Sequence, residues 1–220
     1  MSWRRAGLHR LEHKTLGVSA RDDEVVLRSR VAPAGADYAM LVSYAWSSDA
    51  ADANQVNLIV RTRPQGLWPC LLPKIGLRLV LDRVFDDVSW FGLGPGEAYS
   101  DTNAAVRIGR FASSVADLQT PYVRPQENGT RQQARWLQLN SSTGHLLVHG
   151  EPTFDFAVRR WSPDHLTAAR HTPDLIEEPL TYLQLDAVQH GIGSAACGPV
   201  TQPQHELYAR AVTMRFRFSA

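Results

Sequence analysis

Residues 206–218, ELYARAVTMRFRF, place Tyr208, Val212, Met214, Phe216 and Phe218 on one side of the chain and Arg215 and Arg217 on the other. A period of two suits a strand with one face covered and one face wet, and it fits no helix. IGLRLVLD (75–82) repeats the pattern with Ile75, Leu77, Leu79 and Leu81. Short runs of the same kind occupy 24–31, 38–46, 55–64, 134–140, 144–150, 154–161 and 181–188. Turn residues separate them, and no strand–helix–strand alternation intervenes. The pattern therefore predicts an all-β chain with antiparallel pairing and two sheets packed face to face as a large β-sandwich. A single domain over 1–220 is expected, because no repeat or Pro/Gly-rich linker divides the chain. One helix is predicted in SPDHLTAARHTPD, with Ser162 as N-cap, Pro163 in the first turn and Pro173 ending it.

Apolar residues make up 44% and charged residues 20% of the chain, a composition that folds without a covalent staple. Lys plus Arg (23) nearly balances Asp plus Glu (22), and no like-charge run marks a nucleic-acid or anionic-membrane surface. Neither partner is expected. Cys70 and Cys197 lie too far apart for a metal-ligand spacing and too sparsely for a disulfide scaffold, which suggests free thiols. The N-terminus has basic residues without an apolar h-region, and eighteen apolar residues never run together, so a cytoplasmic, soluble protein is expected. The sequons at Asn128 and Asn140 are then idle.

The stretch WFGLGPGEAYSDT (90–102) and, some twenty residues on, TPYVRPQENG (120–129) fall in a loop-rich middle from 89 to 132. Gly92, Gly94 and Gly96 do not make a dinucleotide loop, which needs a strand before and a helix after; turns are the simpler expectation. Glu97, Asp101 and Glu127 are the carboxylates in this dense context, yet nothing in their spacing identifies an acid/base pair. Their simplest role is to accept hydrogen bonds from backbone amides, or from Arg124 and Arg131, and so order long loops. His145 and His149 would stand about 13 Å apart on a strand, too far to share a metal. His9 and His13 with Glu12 would share a helix face, but they lack the zinc-protease arrangement. No catalytic residue and no metal ligand is assigned.

WFGLGPGEAYSD followed by LQTPYVRPQENGTR resembles the paired signature of the C-terminal β-sandwich domain of glycoside hydrolase family 2 β-galactosidases, which also occurs as a separate small chain. LPKIGLRLVL before it, LDAVQHGIGSAACGP after it and the opening WRRAGL extend the resemblance over essentially all 220 residues. The resemblance implies a galactose-mutarotase-like supersandwich. It also implies that the two catalytic glutamates, and the magnesium and sodium sites, lie on a (β/α)8 barrel outside this chain, with no cofactor held here. On this reading Trp90, Glu97, Tyr99, Asp101, Tyr122, Arg124, Glu127, Asn128 and Arg131 order loops or form an interface. The family places a substrate-facing tryptophan in the loop after Gly-Ile-Gly. Here that position is Cys197, or Gly198 in a shifted alignment, and a rigid sugar platform is replaced by a small side chain.

Three function classes follow. In the first, the chain is the C-terminal domain or small chain of a retaining β-galactosidase. It hydrolyses terminal β-D-galactosides such as lactose only with a barrel-bearing partner, and the assembly is expected to be oligomeric. In the second, it is a free-standing carbohydrate-binding or mutarotase-like protein, for which Glu127 with His149 or His190 could supply the acid and base. A purely structural role is the third possibility.

Overall fold

The computed structural model describes residues 2–49, 52–194 and 198–220. Among these, eleven strands form the fold: β1 (Leu11–Arg21), β2 (Glu24–Pro33), β3 (Ala39–Ser48), β4 (Gln55–Gln65), β5 (Lys74–Asp82), β6 (Asp87–Gly94), β7 (Arg107–Ser114), β8 (Arg131–Asn140), β9 (His145–Arg159), β10 (Leu180–Gln189) and β11 (Val212–Ser219). All pairings are antiparallel, in the order β1-β2-β3-β4-β11-β9-β8-β6-β7, with β10 joining β9 to β5. Strand β9 makes this branch possible. Its first part, residues 147–151, pairs with β11, and its last part, residues 155–159, pairs with β10.

The expected two sheets are therefore one hydrogen-bonded network that curls until its apolar faces meet. Val42, Leu58, Val60, Met214 and Phe216 share one core with Ile75, Leu137, Leu139, Leu183 and Leu185. The alternation read from β11 is realised: Met214 and Phe216 are buried while Arg215 and Arg217 face solvent. Trp90 lies deep in this core, with Phe111 and Phe156 at ring-centroid distances of 5.4 and 5.7 Å.

Four expectations need correction. The loop-rich middle contains β6 and β7, and Gly92 belongs to β6. A Cβ there would come within 2.8 Å of the Ala134 backbone on β8, so glycine permits close strand approach rather than a turn. The helix is shorter than expected: α1 (Pro163–Ala168) is capped by the Ser162 side chain but stops before Pro173, which instead lies within a short 3-10 turn, Thr172–Asp174. His13 and Glu12 stand on β1, not on a helix. Strand β1 itself escaped notice because ten of its eleven residues are exposed, leaving no apolar face to read.

Candidate functional site

Two loop clamps and a buried ionic cluster surround one cleft. The Glu97 carboxylate ties the two middle motifs together. Its Oε1 accepts from the Tyr122 hydroxyl at 2.6 Å and its Oε2 from the Gly129 amide at 2.7 Å. Burial, reinforced by Glu97, pushes the Tyr122 hydroxyl up to about 12, so it stays a donor. The Asp101 carboxylate receives the Ile192 amide at 3.1 Å and the Gly193 amide at 2.7 Å. Gly193 has φ +62, a conformation only glycine adopts without strain. Thr201 Oγ1 donates to the Gly191 carbonyl at 3.1 Å, so the loop from 191 to 194 is held from both sides.

Arg131 fixes the base of these loops by donating to the carbonyls of Pro95, Leu118 and Gly129, with its guanidinium 5.6 Å from the Trp90 ring. Burial lowers its pKa to about 10, and the Glu97 charge opposes that shift. Asn128 Oδ1 accepts the Thr120 amide at 3.1 Å, and its Nδ2 donates to the Gln126 carbonyl. Tyr99 is fully buried, and burial raises its hydroxyl far above the usual range, with Glu127 adding to the effect. Arg124 is exposed and stands outside this network.

Glu127 pairs with neither Arg124 nor Arg131. Its Oε1 meets Arg159 Nη2 and its Oε2 lies 3.5 Å from Lys74 Nζ. Lys74 also reaches Gln184 Oε1 at 3.0 Å and Asp186 Oδ2 at 3.4 Å, while Arg159 Nη1 donates to the same Gln184 oxygen at 2.8 Å. Burial alone would raise the Glu127 carboxyl, but Arg159 and Lys74 outweigh it and hold the pKa below the usual range. Burial raises that of Asp186 despite Lys74. Both Glu127 oxygens are committed to cations, and Lys74 already faces three acceptors. The cluster has the character of a structural ionic lock and not of a general acid/base pair.

In front of it opens a cleft of about 520 Å³, lined by Trp3, Lys74, Tyr122, Glu127, His190 and the loop 191–194. The Trp3 and His190 rings meet edge to face at 5.9 Å. Cys197 lies outside the described residues. The Gly198 amide donates to the Ser194 carbonyl at 2.8 Å. His149 lies on β9, paired with Arg217 and Trp136, and is not among the residues lining this cleft. Among the described residues, no group of three His, Cys, Asp or Glu could hold a metal ion, and no helix is long and apolar enough to cross a membrane. Lys74, Arg159, Gln184 and Asp186 went unmarked as site residues. They come from three strands, and only pairing across β9, β10 and β5 brings them together.

Residues 1–219 match the family model described as Beta galactosidase small chain. A β-galactosidase of Arthrobacter sp. strain B7 is 33% identical over 224 residues, covering 99% of this chain and 22% of that protein. A β-galactosidase of Vibrio cholerae is 38% identical over 157 residues, covering 68% of this chain and 14% of its own length. Among solved structures, a GalM/aldose epimerase homologue from C. elegans has a TM-score of 0.45 and 11% identity, covering 92% of this chain and 67% of its own.

Proposed function

The chain belongs to the beta-galactosidase small-chain family, and from that premise we propose that it completes the substrate pocket of a retaining β-galactosidase whose (β/α)8 barrel is supplied elsewhere. The assembled enzyme hydrolyses terminal β-D-galactosides such as lactose by double displacement, with the nucleophile, the acid/base and the magnesium and sodium sites on the barrel. This chain alone is inactive. It contributes the wall formed by the loop after Gly191, including Cys197 and Gly198, and the assembly is an oligomer of the cytoplasm.

The observation that carries this reading is the clamping of that loop by Asp101 beside a cleft whose own carboxylate, Glu127, is locked to two cations. Such a site can shape and orient a sugar but has no free carboxylate pair to cleave it. A 2-deoxy-2-fluorogalactosyl fluoride, which arrests the covalent intermediate, tests the division of labour. The sugar is expected on a carboxylate outside this chain. Recovery of the label on Glu97, Asp101 or Glu127 would refute it.

A further inference from the structure

The nearly balanced charge of the chain conceals an uneven distribution. Strand pairing lines up Arg28, Ser43, Arg61 and Thr213 as one row of side chains across β2, β3, β4 and β11. The next row holds Arg30, Leu41 and Arg63. On the other side, Arg215 stands between Ile59 and Glu151, and Arg217 between Asn57 and His149. Paired residues point to the same face, opposite the buried Met40, Val42, Leu58, Val60 and Phe216. Six arginines thus share one outer face, and the acids on these strands are Glu24, at the start of β2, with Glu151 and Asp155 on β9. Among the described residues, Arg28, Arg61, Arg63, Arg215 and Arg217 are exposed and take part in no ion pair. A shallow groove of about 700 Å³ crosses the face between Asn57, Arg135, His149, Arg215 and Arg217. Burial, with the Arg217 charge adding to it, lowers the His149 pKa. No run of like charge announced this face, because alternate residues of separate strands compose it.

We propose that this arginine face is a docking surface for a carboxylate-rich protein surface, and that in the assembled β-galactosidase the large chain presents it. Arg61 and Arg215 are diagonal neighbours across β4 and β11, about 7–8 Å apart at the backbone. Like charges at that spacing repel, and a complementary surface relieves the repulsion while steering encounter. Apolar Ile59 and Leu41 between the arginines supply area that can be covered without stranding polar groups. The inference rests on the small-chain reading above.

The test uses the Arthrobacter β-galactosidase truncated to remove the region matched by this chain, mixed with the full chain. Wild type is expected to associate at a rate that falls with added salt. The variant Arg61→Glu, Arg63→Glu, Arg215→Glu, Arg217→Glu should associate at least about ten-fold more slowly, while Arg170→Glu with Arg210→Glu, two exposed arginines outside the strands of this face, matches wild type. The corresponding Arg→Gln set, which removes charge without reversing it, serves if the Glu variant fails to fold, and should show the same slowing to a smaller extent. Unchanged association of a folded quadruple variant would overturn the docking surface and leave the small-chain reading standing. Absence of wild-type association with a truncated enzyme that does bind back its own excised region would overturn both. Tighter binding of wild type to a DNA duplex than to the truncated enzyme would assign the face to nucleic acid and likewise refute the proposal.

Discussion

The Asp101 carboxylate accepts the Gly193 amide at 2.7 Å, ninety-two residues away in sequence, and so ties the first motif of the middle segment to the loop that walls the cleft. Removing it strands two loop amides. A charge-assisted hydrogen bond is worth about 1.5–3 kcal/mol, less where solvent can replace it. Asp101→Ala should raise KM for nitrophenyl galactoside in the assembled enzyme by about ten-fold while changing kcat much less, and limited proteolysis should cut near 191–200. An unchanged KM would show that the clamp does not position the wall.

The lock between Glu127 and the almost fully buried Arg159 should matter to stability more than to chemistry. Glu127→Gln leaves the Arg159 cation without its partner and should cost about 3 kcal/mol, which lowers Tm by about 6–12 °C for a chain of this size. Arg83→Ala, which breaks an exposed pair with Glu177, should cost only about 0.5 kcal/mol. Calorimetry of the three proteins decides it, and equal effects would deny the lock its role.

Asp155 should make stability depend on pH in a sense opposite to that of most carboxylates. Burial pushes its carboxyl up to about 6, against hydrogen bonds from the Gln133 amide and Gln132 Nε2 and with Asp186 adding to the rise. A pKa above the unfolded value of about 3.9 means that the folded chain binds this proton more tightly. The contribution is complete below about pH 4 and is lost as pH rises through about 6. The Tm of wild type minus that of Asp155→Asn should fall across this window and stay level above it. A difference independent of pH from 4 to 7 would contradict the assignment.

Much of the fold could be read because β11 alternates apolar and polar residues and β4 and β5 keep one apolar side, with Ile59 and Val80 as the apolar residues on the other, and burial follows that period of two. Strand β1 has no covered face, and β6 carries two glycines, so neither announces itself by pattern. The loop-ordering part of the site was visible in the motifs that hold Glu97, Asp101 and Asn128. Its ionic cluster was not, because Lys74, Arg159 and Asp186 lie on strands whose pairing depends on the register of the whole sheet. The arginine face stayed hidden for the same reason.

The proposed wall includes Cys197, at the position where the family resemblance implies a sugar-facing tryptophan. A tryptophan offers about 150–250 Å² of rigid surface, so Cys197→Trp should tighten galactoside binding in the assembled enzyme and reduce transglycosylation. Product analysis by chromatography with lactose as substrate measures both. No change in either would remove residue 197 from the pocket.

The central claim, that this chain shapes a pocket whose catalytic glutamates lie elsewhere, is tested most directly by nitrophenyl galactoside turnover. The chain alone, the Arthrobacter enzyme lacking the matched region, and the two mixed are assayed side by side. The account predicts no turnover by the chain alone and restoration of activity on mixing. Turnover by the isolated chain, abolished by Glu127→Gln or Asp101→Asn, would contradict it.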